Sequence, residues 1–325
     1  MQMTQLAPPR AAAPTAPSAP AAAAVPAALT LVAAGCARAD AGPPPAGASV
    51  VAGATVESFS TTYTGWNARL NRTRSFAIEG RRPAAAGTYP VLVYTVGTFQ
   101  SYDAVEALAW IDAAAAAGYV AATVEYSNGT YFSCPAIEEK AASLYDDTYS
   151  PNNALAVLCA DEKADCDRGI VTVGLSQGSW MAALAYEHDP RVRATLGLGM
   201  GLDARLWGGD HTDCLVTNRG LPVDRLRIVN GESDDAWGTR NDMIAQIDTI
   251  TASSCGADAM NCLRPDGTGW LLVRDEDIVD GLANHAYMSR DGGGVRLVDE
   301  NWAGSAGEWT LSGGLDWLSA YVELP

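Results

Sequence analysis

Short, continuous apolar runs alternate with helix-like segments through most of the chain. Two of these runs are VLVYTVG (91–97) and GIVTVGLS (169–176), and both are apolar in the way that strands buried on two faces are. Helix-like segments cover 103–117, with Asp103 as a plausible N-cap, and 179–188. This alternation predicts an α/β fold with a mostly parallel sheet and helices on both faces.

Eight strands are expected in this sheet. The first two alternate apolar and polar residues, which favours an antiparallel pair at the sheet edge. The stretch from 201 to 225 is too short for a separate domain, so no large lid is expected. The predicted strands cover 56–64, 74–82, 91–97, 119–126, 169–176, 193–201, 225–232 and 270–276.

The N-terminal segment differs in composition from everything that follows. Ala and Pro dominate it, Arg10 lies near its start, and residues 21–35 are uncharged and mostly apolar. This order of features is typical of an export signal, so 1–35 is predicted to be a signal peptide of the lipoprotein type. Ala33-Ala34-Gly35-Cys36 resembles the bacterial lipoprotein cleavage box, so Cys36 would carry the lipid; the alternative is an Ala/Pro-rich disordered tail with a chance cysteine. Residues 36–54 would be a flexible linker, and the remaining residues, 55–325, would form the catalytic domain.

Six cysteines follow the one at position 36. Four of them bracket two short polar loops that disulfides could close, which leaves two to pair with each other. An even number of loop cysteines is typical of proteins in an oxidising compartment. The sequence has no CxxC pair, which argues against a zinc site, and no metal is expected. The suggested pairs are Cys159 with Cys166, Cys255 with Cys262, and Cys134 with Cys214, although six cysteines allow about 15 pairings.

A Gly-x-Ser-x-Gly motif lies at the end of one buried run. Ser176 occupies its centre, between a predicted strand and a predicted helix, where a nucleophile elbow holds its serine. The small residues Gly174 and Gly178 leave room for the sharp turn. We therefore predict that Ser176 is a nucleophile; the alternative is an ordinary strand-to-helix turn with a capping serine.

A serine hydroxyl needs a base, and the chain offers three histidines. His188 ends the helix that the serine opens, about 15 Å away by helical rise, so it is too distant. His211 precedes the predicted acid in the chain. His285 follows the last predicted strand and completes the order serine, acid, histidine, so we predict that it is the base.

An acidic turn follows the predicted strand 225–232 and should supply the carboxylate that orients the histidine. Asp234, in a Gly-x-x-Asp turn, is the first choice, and Asp235 and Glu232 are the alternatives. Backbone N–H groups should stabilise the oxyanion. Gln177, just after the serine, should supply one, and the loop after 91–97 should supply the other, from Thr98 or alternatively Phe99.

Seven aromatic residues fall near predicted strand ends and could line a substrate pocket, although ordinary packing is the commoner role of such side chains. Trp207, in LDARLWGGDHTDC, and Trp237, just beyond the predicted acid, are the best candidates. The full set is Tyr102, Tyr131, Phe132, Trp180, Trp207, Trp237 and Tyr287.

Taken together, these motifs resemble the α/β-hydrolase superfamily over roughly 55–325. The similarity is to compact esterases such as dienelactone hydrolases, bacterial polyester hydrolases and platelet-activating-factor-acetylhydrolase-like proteins. The chain departs from their pattern at Val96, where His is usual. The resemblance implies Ser–His–Asp cleavage of carboxylic esters without a cofactor. A peptidase or amidase on the same fold, or a non-catalytic surface binding protein, are the alternatives.

The chain is strongly acidic, with a formal net charge of −17. Such a surface repels nucleic acid, so no nucleic-acid partner is expected. The expected partner is a small-molecule or polymeric ester. The protein is expected to be an exported monomer that is periplasmic, secreted or held at the cell surface by lipid on Cys36.

Overall fold

Strand-forming residues assemble into one large sheet and one small one. The computed structural model describes residues 55–67, 70–129, 133–203 and 209–325. The large sheet comprises β1 (Val56–Asn67), β2 (Arg72–Pro83), β3 (Val91–Thr95), β4 (Val120–Val124), β5 (Ile170–Leu175), β6 (Val192–Leu198), β7 (Leu226–Gly231), β8 (Asn261–Leu263) and β9 (Gly269–Val273), and the small sheet comprises β10 (Ser289–Asp291) and β11 (Arg296–Val298).

The strand order of the large sheet is β1-β2-β4-β3-β5-β6-β7-β9-β8. Neighbouring strands from β4 to β9 along this order are parallel, which confirms the expected architecture. The antiparallel pair of β1 and β2 lies at one edge, as its alternating pattern predicts. The sheet has nine strands rather than eight, because the three residues of β8 pair antiparallel with β9 and are too few to give a sequence pattern.

Helices pack against this sheet in two groups. They are α1 (Val105–Ala116), α2 (Cys134–Tyr145), α3 (Ala154–Cys159), α4 (Gln177–His188), α5 (Arg240–Thr251), α6 (Glu300–Gly304) and α7 (Leu311–Ser319). One group contains α1, α6 and α7, the other contains α2, α3 and α4, and α5 lies outside both, in contact with β7 and β9. The core lies between the helices and the central strands, and β3, β4, β5, β7 and β9 are buried at every residue.

Two helix starts differ from expectation. The cap of α1 is Ala104, which makes no side-chain hydrogen bond, and the Asp103 carboxylate accepts from the Ser101 hydroxyl instead. In α4 the first helical residue is Gln177, two residues early, because the turn at Ser176 leads straight into the helix. The helix therefore aims its N-terminus at the residues around that serine.

Some of the predictions concern residues that the structure does not describe. The predicted signal peptide 1–35, the lipidation residue Cys36 and the linker 36–54 lie outside the described residues. Between β6 and β7, the described residues form an isolated antiparallel bridge between Asp203 and Asp210, a π-helical turn at Asp213–Thr217 and a 3₁₀ turn at Val223–Arg225. None of the helices in the described ranges is long and apolar enough to span a membrane.

Three disulfides join the cysteine pairs that the loop spacings suggested: Cys134 with Cys214, Cys159 with Cys166, and Cys255 with Cys262. The first ties the start of α2 to the π-helical turn across 80 residues of sequence. The other two each close a separation of only 7 residues.

The long-range disulfide should contribute most to stability. Chain entropy alone assigns about 4.5 kcal/mol to a loop of this length and about 2.4 kcal/mol to the short ones. We expect the Cys134→Ala/Cys214→Ala variant to lose about 2 kcal/mol more unfolding free energy in urea than the matched Cys255→Ala/Cys262→Ala variant. Equal losses in the two variants would contradict this ranking.

Candidate active site

The turn between β5 and α4 holds Ser176 in an unusual backbone conformation. Its φ is 56° and its ψ is −122°, a combination that side-chain-bearing residues rarely adopt. The flanking glycines permit it, since a Cβ on Gly174 would lie 2.2 Å from the Gly178 carbonyl oxygen. A Cβ on Gly178 would lie 2.0 Å from the Thr95 carbonyl oxygen on β3. This is the geometry of a nucleophile elbow.

A histidine and a buried carboxylate meet beside this turn. His285 lies in the loop after β9, and its Nδ1 is 2.8 Å from Oδ2 of Asp234 and 3.0 Å from Oδ1. The Asp234 side chain is fully buried, and it also accepts from the N–H of Ala236 at 3.1 Å. With Nδ1 held by the carboxylate, Nε2 is the ring nitrogen left for proton transfer.

The other acids and histidines named from the sequence make different contacts, although Asp235 lines the same cavity as Ser176 and His285. Glu232 accepts from the N–H of Asp275, and Asp235 is exposed, so neither holds the imidazole. His188 pairs with Asp146 at 3.5 Å. His211 is fully buried and stacks on Trp180 with ring centroids 4.1 Å apart. The geometry brings Asp234 and His285 together, as their order in the chain predicts.

The loop after β3 is fixed in place by polar side chains. The Asn128 side chain donates from Nδ2 to the carbonyl oxygens of Gly97 at 2.8 Å and Gln100 at 2.7 Å. The backbone carbonyl oxygen of Asn128 accepts from the N–H of Phe99. The Gln100 side chain accepts from the N–H of Gly97 at 2.9 Å and donates to Glu106 on α1. The loop is thereby pre-organised before any ligand arrives.

Two backbone N–H groups remain available to a ligand, one in the loop after β3 and one at the start of α4. In the part of the chain that the structure describes, the N–H groups of Thr98 and Gln177 donate to no protein atom. The N–H of Phe99, the alternative donor, is already engaged by Asn128. Side chains tie the two residues together, since Gln177 Nε2 donates to Thr98 Oγ1 at 3.2 Å.

Ser176 and His285 open onto one cavity of about 680 Å³, and Thr98 lines it as well. Its wall is largely apolar and aromatic, with Phe99, Trp180 and Trp237 among the lining side chains. The Trp237 ring also packs edge-on against His285, with centroids 5.7 Å apart. A mostly apolar pocket with a few convergent polar groups is the usual form of a small-molecule site.

The remaining aromatic candidates separate into two groups. Tyr102 lines a smaller neighbouring cavity, and Tyr287 is buried in the core. Burial and the charge of Asp234 raise the pKa of Tyr287, so this phenol stays neutral. Tyr131, Phe132 and Trp207 lie outside the described residues.

Sequence reasoning missed three polar residues around the site: Asn128, Glu106 and Lys140. The two charged ones are almost fully buried. Helical spacing predicts that both side chains lie on buried helix faces. Glu106 is four residues before the buried Trp110 in α1. Lys140 lies between the buried Ile137 and Leu144 in α2. A charge on the apolar face of a helix marks a residue with a special partner.

The assembled groups have the chemical parts that acyl transfer requires. They are a serine on a strained turn, an imidazole held by a buried carboxylate, and two free N–H groups beside the serine. Within the described ranges, no three His, Cys, Asp or Glu side chains come together as metal ligands would.

Comparison with solved structures places the chain in a known fold. A cold-adapted esterase from an Arctic intertidal metagenomic library, solved with bound PEG, matches with a TM-score of 0.53 and 12% identity, covering 82% of this chain and 95% of that one. A putative dienelactone hydrolase from Klebsiella pneumoniae matches with a TM-score of 0.44 and 16% identity, over 71% and 88%. No family model and no curated protein sequence matches. The protein has the α/β-hydrolase fold.

The buried Glu106 makes the stability of the protein depend on pH. Burial raises its pKa above the ordinary value of 4.5, and in the described residues its Oε2 has no hydrogen-bond partner. The folded state therefore disfavours the ionised form, and the contribution of Glu106 to the stability of the protein should fall as the pH rises from 4.5 through the raised pKa.

Glu106→Gln removes this ionisation and keeps an oxygen for the Gln100 amide. We expect the stability of Glu106→Gln relative to wild type to increase with pH over this window, as measured by urea denaturation at a series of pH values. Glu162→Gln, at a side chain that is 77% exposed, is the control. A pH-independent difference would show that burial of the carboxyl is not the cause.

Proposed function

We propose that this protein is a serine hydrolase that cleaves carboxylic esters. The observation that carries the proposal is the contact of His285 with the buried Asp234 beside the strained Ser176, at one apolar cavity. The chain has the same fold as a protein described as an esterase, and this agreement supports the same class of chemistry. Fold alone does not select a substrate, so the site residues carry the argument.

The proposed reaction is acyl transfer in two steps. Ser176 Oγ attacks the ester carbonyl carbon while His285 Nε2 takes the hydroxyl proton, and Asp234 stabilises the imidazolium. The carbonyl oxygen becomes an oxyanion that accepts from the N–H groups of Thr98 and Gln177. His285 then protonates the alcohol oxygen as its bond to the acyl carbon breaks. The alcohol departs, and the acyl group stays bonded to Ser176 as an acyl-enzyme.

Water completes the cycle. His285 removes a proton from the water as its oxygen attacks the acyl carbon, and the oxyanion forms again on the same two N–H groups. The proton returns to Ser176 as the carboxylic acid leaves. No cofactor enters this scheme, because each proton moves between the substrate, water and His285.

The cavity supports an ester with an apolar acyl or alcohol part, from a small molecule or a polymer. Its aromatic wall and its volume of about 680 Å³ fit a ligand of drug-like size. The strongly negative chain, at −17, supports the proposal that nucleic acid is not a partner.

We also propose that the protein works outside the cytosol as a monomer. The three disulfides support an oxidising compartment. In this proposal residues 1–35 direct export, and lipid on Cys36 gives a membrane anchor joined to the domain by 36–54.

The nucleophile can be tested directly. Ser176→Ala should lower kcat for a p-nitrophenyl ester by about 10⁴-fold or more, because the attacking oxygen is lost. It should also abolish covalent labelling by a fluorophosphonate probe. Ser60→Ala, on the exposed face of β1, is the control and should match wild type. Labelling of the Ser176→Ala variant would refute the assignment, and faster turnover of a peptide than of the ester would identify a peptidase.

The acid can be tested by comparing adjacent residues. Asp234→Asn should lower kcat by about 10⁴-fold with little change in KM, because the amide no longer holds the imidazole in the productive tautomer. Asp235→Asn, one residue along and exposed on the wall of the same cavity, should leave kcat within about tenfold of wild type, because the imidazole is held by Asp234. The reverse pattern would move the role to Asp235.

A further inference from the structure

A buried lysine lies behind the proposed oxyanion site. Lys140 is one of only two lysines in the chain. It lies on α2, its residue is 2% exposed, and burial lowers its pKa to about 8. Removing an ammonium group from water costs several kcal/mol unless its hydrogen bonds are satisfied. A methionine would occupy similar space in this helix without that cost.

The lysine contacts the residue that follows the nucleophile. Lys140 Nζ donates to Gln177 Oε1 at 3.0 Å and to the carbonyl oxygen of Gly129 at 3.3 Å. Gln177, itself 1% exposed, donates from Nε2 to Thr98 Oγ1 at 3.2 Å and to the same Gly129 carbonyl at 3.5 Å. A continuous chain of hydrogen bonds thus runs from Lys140 through Gln177 to Thr98.

The chemistry of lysine fixes the direction of this chain. Below its pKa of about 8 the side chain is an ammonium group with three donors and no acceptor, so it selects the oxygen of the Gln177 side-chain amide. The amide nitrogen must then face Thr98, where it can donate to the hydroxyl oxygen. A neutral side chain with both a donor and an acceptor would allow the Gln177 amide to reverse and would lose this control.

We propose that Lys140 is a positioning residue for the oxyanion hole. It acts through the side-chain amide of Gln177, which contacts Thr98. The inference rests on the proposed function, in which the N–H groups of Gln177 and Thr98 receive the oxyanion. Those two residues come from different elements, α4 and the loop after β3, and Lys140 on α2 holds them together from behind. Donors fixed before the reaction stabilise the transition state more than donors that must reorganise.

This role predicts where the kinetic loss appears. The oxyanion forms only in the transition state, so loosening its donors should lower kcat and leave KM nearly unchanged. A purely structural lysine would instead affect the folded fraction or substrate binding. Small displacements of catalytic groups can cost as much as 10²-fold, so a partial loosening should cost about tenfold.

The experiment measures kcat and KM on a p-nitrophenyl ester for Lys140→Met, Gln177→Met and the double variant, with thermal denaturation alongside. Lys140→Met should lower kcat about tenfold and keep KM within about twofold while remaining folded at the assay temperature. The double variant should be no slower than Gln177→Met, because the lysine acts through that amide. Lys163→Met, at the other lysine, whose ammonium contacts Glu57, Pro83 and Ala84, is the matched control and should keep wild-type kcat.

The outcomes separate this inference from the function on which it rests. Unchanged kcat in Lys140→Met, or losses that multiply in the double variant, would overturn the positioning role while Ser176-dependent ester hydrolysis stands. A wild-type protein without esterase activity, or activity that survives Ser176→Ala, would overturn both. If Lys140→Met does not fold, Lys140→Gln serves in its place. We expect Lys140→Gln to lower kcat about threefold in the wild-type background and to have no effect on kcat in the Gln177→Met background. Unchanged kcat in Lys140→Gln alone would refute the role.

Discussion

The close approach of the turn after β5 to the end of β3 is the constraint from which the site geometry follows. Gly178 lies so near the Thr95 carbonyl that no side chain fits between them. Thr95 strengthens the contact by donating from Oγ1 to the Gly178 carbonyl oxygen at 2.7 Å. Because the two strand ends are locked together, Ser176 and the loop carrying Thr98 face the same cavity. The strain at Ser176 is held by this packing together with the serine's own backbone, whose N–H donates to the Leu198 carbonyl oxygen at 2.8 Å and whose carbonyl oxygen accepts from the Ser179 N–H at 2.9 Å.

The fold and the turn that holds Ser176 could be predicted because each rests on a local pattern. Fully buried strands give continuous apolar runs, and the elbow needs glycines at two fixed positions around Ser176. Chain order then selected His285 from three histidines. Asp234 was harder, since three acids share one turn, and only the contact at 2.8 Å separates it from Asp235 and Glu232. Strand β8 escaped prediction because three residues carry no periodicity.

The supporting residues could not be predicted, because their roles depend on contacts between distant parts of the chain. Asn128 follows β4, yet it fixes the loop after β3 through both its backbone and its side chain. Glu106 reaches that loop from α1 through Gln100. Helical spacing places Glu106 and Lys140 on buried faces, but it does not say which group each one meets. Such pairings follow from how helices pack on the sheet, which a single sequence does not encode locally.

Burying Glu106 and Lys140 beside the same loop lowers stability, and this cost is informative. Desolvation disfavours the charged form of each group, as the raised pKa of Glu106 and the pKa of about 8 for Lys140 indicate. Apolar residues would pack these helices more favourably. Each of the two groups fixes a different side of one short loop, Glu106 through Gln100 and Lys140 through Gln177. Rigid donors at the proposed oxyanion site are the gain that offsets the lost stability, since pre-organisation must be built into the folded state.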